Sequence, residues 1–500
     1  MYDISRRIGI KEIVDKHVIK RNQGLSTGTY LNLAAINRAV KPTSKNAFAE
    51  WYSDTILRRL IPASGKDLTS QRFWDHMNRI SLEDIRSIEA DIAAKIVSEF
   101  DLSLRRLIYD GTNFHTWIST KSDSELAQRG HNKQKRNDLK QVSLALMVTE
   151  DFHIPLFHEL YPGNVNDTQE FGSIVEDLVE RHKKIAGECE NVTLIFDKGN
   201  NSADNFEKLD KSSFNFVGSL TPSHHKDLLD VPRKKYCRMK GERLEGIEVY
   251  RTKKEVFGES RTILVTWNEE LFIGQIEGLA WQLRKKRREL RKIKTRLERR
   301  ASGRVTAGKK PTIQSIQRQV DKLLSWQYHS KIFEIEIYEK GGHVNLNFQT
   351  KTAEIANLQK RQFGKTILFT DNHRWSNAAI ISAYRSQYRI ENAFKQMKDP
   401  VFASWKPRFH WTDQKLRVHA FYCVLSLALT SLLQRELHKE GIDISVNKLL
   451  SQLENIQEVA VIYPKSMVSN DHISITLSEM SQEQKQLFDA LNLKKYCATI

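Results

Sequence analysis

The chain has 500 residues, with 79 Lys and Arg against 61 Asp and Glu, a net charge of +18. A hydrophobic share of 40% excludes a disordered polyelectrolyte, and the length is too great for one simple domain. The positive surplus favours a polyanionic partner, because each phosphate met by Lys or Arg releases a condensed counterion. Residues 1–97 read as helical. Apolar positions recur every three or four residues in IGIKEIVDKHV and SLEDIRSIEADIAAKIVSEF, where Ser81 ahead of Glu83 and Asp84 marks a helix start. LRRLIYDGTNF (104–114) is an apolar run closing on Asp110-Gly111, as a buried strand would. DLKQVSLALMVT and FHIPLFHELYPGN follow as two more strands, joined by a polar turn at Glu150-Asp151. A helix, TQEFGSIVEDLVERHKKI, leads to VTLIFDKGN (192–200), apolar on both faces and therefore a central strand. Another helix and a strand, NFVGSL, close an αβ block over residues 98–220.

Residues 221–360 read as an insertion. Short β-like pieces rich in Lys and Arg come first, then a helical hairpin over about 268–327 with its break at 301–311. The first arm, residues 284–300, has eleven basic and two acidic residues, with Leu290, Ile293 and Leu297 as a thin apolar seam. β-like alternation returns over 331–350. In the next region, 361–440, KTILFTD (365–371) reads as a strand and residues 376–398 as one long helix capped by Ser376. VHAFYCVLSLALTSLL (418–433) falls short of the ~20 apolar residues of a membrane span, so it reads as a buried helix and no membrane partner is expected. Residues 441–500 form a C-terminal region. Cys189, Cys237, Cys423 and Cys497 lie far apart without a CxxC pair, so neither a zinc ribbon nor a disulfide framework is indicated. A reducing cytoplasm fits, and the first residues lack the apolar core of a signal peptide.

Three acids sit where phosphoryl chemistry would need them. Asp110 and Asp197 end buried strands, and Glu391 lies within the 376–398 helix. Two strand-end Asp and a helical Glu can converge at one sheet edge and hold two divalent cations, one activating the attacking oxygen and one stabilising the leaving oxygen. All-oxygen donors point to Mg²⁺, with Mn²⁺ as a substitute, and away from zinc. An Asp after a strand is more often a turn residue, and Glu391 with Lys395 could be a solvated i, i+4 pair. With Tyr384 as zero and about 100° per residue, Gln387, Glu391, Lys395 and Lys398 fall within about 60° of one line. An acid between an aromatic and two lysines suits a helix lining a phosphate-binding cleft.

YRSQYRIENAFKQMK (384–398) resembles the Tyr-x2-Arg-x3-Glu-x6-Lys signature of bacterial cut-and-paste insertion-sequence DDE transposases. Tyr384, Glu391 and Lys398 are in register; Gln387 stands at the Arg position, and Arg385 and Arg389 project about 160° away from it. LIYDGTNFHTWI around Asp110 and VTLIFDKGNNSADNF around Asp197 are similar to the same family. The resemblance implies an RNase H-like mixed sheet flanked by helices, interrupted by a strand and helical-hairpin insertion and preceded by a helical DNA-end-binding region. It implies cleavage of one strand at the transposon's terminal inverted repeats. Attack of the freed 3′-hydroxyl on the opposite strand or target DNA follows, within a synaptic homodimer on the bacterial nucleoid. Two other readings stay open: a transposase-derived DNA-binding protein without catalysis, for which Gln387 leaves room, and an unrelated metal-dependent phosphohydrolase.

Further DNA contacts are expected from Arg284, Lys285, Lys286, Arg287 and Arg288 in the basic arm, from residues 129–138, and from Trp375 stacking on an extruded base. For these the bland alternatives are a solubilising helix face and a core Trp. Asn164 and Asp167 are candidates to support the metal site, though turn chemistry explains them equally. His224 and His225 read as surface residues.

Overall fold

In the computed structural model the described residues are all but 20–23, 131, 133–135, 187–190, 242–243, 327, 407–409, 411, 464–472 and 498–500. The chain forms two compact units, one from Met1–Val217 with Ser382–Ile500, the other from Gly218–Ile381.

The first unit opens with short helices and two longer ones, α1 (Thr27–Val40) and α2 (Leu82–Phe100). Ser81 and Asp84 form a reciprocal capping box at the start of α2, satisfying two otherwise orphaned backbone N–H groups. Five strands follow: β1 (Arg106–His115), β2 (Gln141–Thr149), β3 (Pro155–Pro162), β4 (Thr193–Ile195) and β5 (Asn215–Leu220). Helices α3 (Asp167–Ala186) and α4 (Ala203–Asp210) lie between β3 and β4 and between β4 and β5. The strand order is β3-β2-β1-β4-β5, with β1, β2 and β3 antiparallel and β1, β4 and β5 parallel. All nine residues of β2 are buried, as expected of a strand covered on both faces. Glu89 of α2 and Arg181 of α3 are also buried, and they pair with each other and with His158 and Glu159 of β3. A charge pays a large desolvation penalty unless paired, so this network fixes both helices against the sheet.

The second unit holds β6 (Cys237–Arg238), β7 (Ile247–Val256) and β8 (Glu259–Asn268). Of the short β-like pieces expected here, β6 is one; the rest is a hairpin of two ten-residue strands, β7 and β8. It turns at Phe257-Gly258, where both residues have positive φ (54° and 83°) and the tight turn matches strand twist. The expected helical hairpin is present as α5 (Glu269–Ala301) and α6 (Ile313–Leu323). Leu290, Ile293 and Leu297 are buried together with Ile316 and Val320. A second hairpin, β9 (Phe333–Lys340) and β10 (His343–Thr350), supplies Phe333, Val344 and Leu346 to the same core. β11 (Lys365–Thr370) pairs antiparallel with β8, giving the order β11-β8-β7-β6.

The single long helix expected over 376–398 is two: α7 (Asn377–Arg385) and α8 (Tyr388–Lys398). Ser376 does cap the first, accepting from the Ala379 N–H. At the joint, the N–H groups of Gln387, Arg389 and Ile390 each bond a carbonyl three residues back. Such 3₁₀ turns advance about 120° per residue instead of 100°, so Tyr384 and Gln387 leave the stripe drawn through Glu391. The last long helix, α9 (Asp413–Lys439), is long and apolar enough to cross a membrane by length and composition. Its most apolar window is 94% buried within the protein, packed against α1 and β3. Cys237, Cys423 and Cys497 are free thiols; Cys189 lies outside the described residues.

Candidate active site

Asp110 does not end its strand: β1 runs on for five residues as half of a hairpin with β2. What ends near it is the parallel partner. Ile108 is level with Ile195, the last residue of β4, so Asp110 and Asp197 each lie two residues further along. Asp197 keeps extended backbone angles. Carried two residues further, the same parallel register would bring the two acids to neighbouring positions on one sheet face. Each carboxylate is oriented by its own following N–H. Gly111 N donates to Asp110 Oδ1 at 2.8 Å, and Lys198 N donates to Asp197 Oδ1 at 2.7 Å.

Thr112 and Phe114 share this face of β1. Lys398, at the end of α8, donates from Nζ to Thr112 Oγ1 at 2.5 Å and stands over the Phe114 ring, 5.4 Å from its centroid. Phe114 stacks in turn on buried Trp405, with centroids 4.4 Å apart. So α8 docks beside the strand that carries Asp110. Within α8, Lys395 and Lys398 lie within about 40° of Glu391, and Glu391 and Lys395 are exposed.

The two Asp supply hard oxygen donors of the kind Mg²⁺ or Mn²⁺ takes. Among the described residues, however, no three His, Cys, Asp or Glu side chains gather closely enough to hold a metal ion. Asp110 and Asp197 each follow the last paired position of β1 and β4 by two residues, and Glu391 stands on the helix that Lys398 ties to β1.

The opposite face of β1 is also acidic. The Tyr109 hydroxyl is held far above its ordinary pKa by burial and then by Glu170, Asp167, Asp110 and Glu159. Asp167, a candidate for metal support, accepts from Tyr161 Oη at 2.7 Å beside Gly111, where a Cβ would meet that hydroxyl at 2.8 Å. Alternation puts Gly111 opposite Asp110, so Asp167 serves the far face. Asn164 is exposed.

The basic arm divides by face. Stepping about 100° per residue from buried Leu290, Arg284, Lys285 and Arg288 fall about 120–160° away, and all three are exposed. Lys286 and Arg287 fall only about 40–60° away and turn inward. Lys286 Nζ donates to the Leu323 carbonyl at 2.6 Å, and Arg287 Nη2 donates to Thr350 Oγ1 at 2.9 Å. Trp281, three residues before Arg284, is 59% exposed with Lys285 Nζ 5.3 Å from its ring. Sequence reasoning passed over it because a lone Trp on a helix usually packs inward.

Trp375 is half-buried, and its carbonyl accepts from Arg251 Nη1 at 2.8 Å. Of the 129–138 segment, His131, Lys133, Gln134 and Lys135 lie outside the described residues, and Arg136 is paired with Asp138. His224 is exposed, as expected of a surface residue, and His225 is partly exposed.

Five strands in the order 3-2-1-4-5, with an acid on the first and another just past the fourth, define an RNase H-like nucleotidyl-transfer fold. The sequence profile of the transposase DDE domain matches residues 102–429, and the chain belongs to this family of transposases. Among solved structures, the cryo-EM piggyBac transposase synaptic complex with hairpin DNA is similar at 9% identity and TM-score 0.42. That match covers 91% of this chain and 80% of that one. The Mos1 transposase paired-end complex with left transposon end matches 38% of this chain and 62% of its own, at 12% identity and TM-score 0.18. No curated protein matches.

Proposed function

We propose that this transposase serves a bacterial insertion sequence on the nucleoid, cutting DNA at the element's terminal inverted repeats and joining the freed 3′-hydroxyl to target DNA. Asp110, Asp197 and Glu391 are the acids assigned to two Mg²⁺ ions, which Mn²⁺ can replace. When bound, such ions activate the attacking oxygen and stabilise the leaving one. The observation that supports this reading is the parallel β1–β4 register, from whose last pair Asp110 and Asp197 each lie two residues on, together with the Lys398–Thr112 bond that brings the Glu391 helix to β1.

The chain's own residues would position DNA. Lys395 and Lys398 flank Glu391, where cations can grip phosphates beside the scissile bond. Tyr384 and Gln387 precede them across the 3₁₀ joint; Gln387 offers an uncharged amide where the family signature has Arg. Arg284, Lys285 and Arg288 form an outward phosphate-binding face in the insertion, and Trp375 stacks on an extruded base. Residues 1–97 bind the transposon end. Residues 98–220 and 361–440 make up the catalytic domain around the 221–360 insertion, and residues 441–500 complete a chain that works as a synaptic homodimer.

A second reading, a DNA-binding protein without catalysis, is favoured by Gln387 and by the absence of a three-acid group among the described residues. Nicking of a duplex carrying the element's own ends decides between them. The first reading expects Mg²⁺-dependent nicks that vanish in Asp197→Ala; nicking unchanged by that substitution would remove the catalytic assignment.

A further inference from the structure

The turn between β2 and β3 grips the helix that carries Glu391. Arg389 Nη1 donates to the Glu150 carbonyl and to Asp151 Oδ1, the latter at 2.9 Å. Two helical turns further along α8, Gln396 shares a hydrogen bond with half-buried His153 and donates to Thr430 Oγ1 of α9 at 2.9 Å. Arg389 and Gln396 lie about 140–160° around α8 from Glu391. Buried Ile390, Ala393, Phe394 and Met397 occupy the sector between these two edges. The helix thus rests on its apolar face, gripped by the turn along one edge and presenting Glu391 along the other.

The turn is built to hold this shape against its own backbone preference. Phe152 and His153 take φ of 57° and 45°, although two consecutive left-handed positions favour Asn or Gly. Such strain persists where surrounding contacts over-determine it. Here Phe152 packs on His438, with centroids 5.2 Å apart, and Thr149 Oγ1 binds the Asp151 carbonyl at 2.7 Å. Arg106 Nε holds Glu150 at 2.8 Å, tying the turn to β1 four residues before Asp110. One strand therefore carries the first acid and, through this turn, the setting of the third.

We propose that Arg389, through Glu150 and Asp151, is a positioning residue that sets the rotation of α8 and so the place of Glu391 relative to Asp110 and Asp197. The inference rests on Glu391 being the third acid. A side-chain tip stands about 5–6 Å from a helix axis, so each 10° of rotation moves it by about 1 Å. A misplacement of about 1 Å can cost 100-fold in rate.

The test compares Arg389→Ala, Arg389→Lys, Asp151→Asn and Glu391→Gln in the full chain on a duplex carrying the element's ends. Single-turnover cleavage in a Mn²⁺ series is followed beside Mn²⁺ binding by electron paramagnetic resonance. We expect Arg389→Ala to cleave about 30- to 100-fold more slowly with DNA affinity unchanged, to need several-fold more Mn²⁺ and to bind it more weakly. Arg389→Lys should recover part of this loss. Asp151→Asn, at an exposed residue, should lose about 3- to 10-fold. If Glu391→Gln abolishes cleavage while Asp151→Asn and a folded Arg389→Ala match wild type in rate and Mn²⁺ binding, the positioning role is wrong. If Glu391→Gln cleaves normally, the third-acid assignment fails and this inference falls with it.

Discussion

Replacing the outward cations Arg284, Lys285 and Arg288 by Gln should change how DNA binding depends on salt, whereas replacing the inward Lys286 and Arg287 should not. An exposed cation on a phosphate releases about 0.9 counterion, so losing three contacts lowers the slope of log affinity on log salt by about 2.7. The affinity advantage of wild type over the triple variant should then shrink about 40-fold from roughly 50 to 200 mM salt. Lys286 and Arg287 already spend their donors on Leu323 and Thr350. Their removal should cost about 1–2 kcal/mol of stability through lost hydrogen bonds, with the slope unchanged. Fluorescence anisotropy on a fixed duplex across a salt series reads the first effect, and urea unfolding the second. An inward pair that lowers the slope as far as the outward triple would refute the division of the arm by face.

Four further outcomes follow. Asp110→Asn and Asp197→Asn should each abolish strand cleavage, by at least about 1000-fold, while retaining DNA-end binding in a mobility-shift assay. Glu89→Ala removes the acid shared by His158 and Arg181 and should destabilise the protein by about 3 kcal/mol in chemical unfolding. Leu290→Ala opens a cavity in the seam of α5 and should cost about 2–5 kcal/mol, read as a lower melting temperature. The Glu170 carboxyl is raised to about 7 by burial and by Glu159. A raised carboxyl pKa favours the fold below the unfolded value, near 4.5, and that favour is lost as pH climbs through 7. Glu170→Gln should therefore stabilise at pH 8, by about 1 kcal/mol once solvent screening is allowed for, and little at pH 4.

The αβ block was legible because its signals are local. Continuous apolar runs mark β2 and β4 as buried strands, and a Ser81 cap with acids behind it marks the start of α2. The insertion's strand lengths were not legible. β7 alternates exposed and partly buried residues through Lys and Arg, and its length comes from pairing with β8 across a two-residue turn. The joint between α7 and α8 also escaped notice, because SQYRI contains no Gly or Pro and keeps helical propensity throughout. The break lies in hydrogen bonds that switch from four residues back to three, which no residue type announces.

The same limit governs the acids. Asp110 looked like a strand end because Asp-Gly reads as a turn, yet Gly111 serves a different purpose: with no Cβ it lets the Tyr161 hydroxyl and Asp167 approach the far face of β1. The strand passes straight through, and only its parallel neighbour stops. What lies beside Asp110 is then a matter of register, which is set by pairing across 87 positions of sequence, Ile108 with Ile195, and leaves no trace near either residue. Arg389 illustrates the converse. Judged against the position of the signature Arg, it points the wrong way; seen from the β2–β3 turn, that direction is what lets it grip Glu150 and Asp151. A residue's distance from the catalytic stripe is thus no measure of its bearing on catalysis when the helix between them behaves as a rigid body.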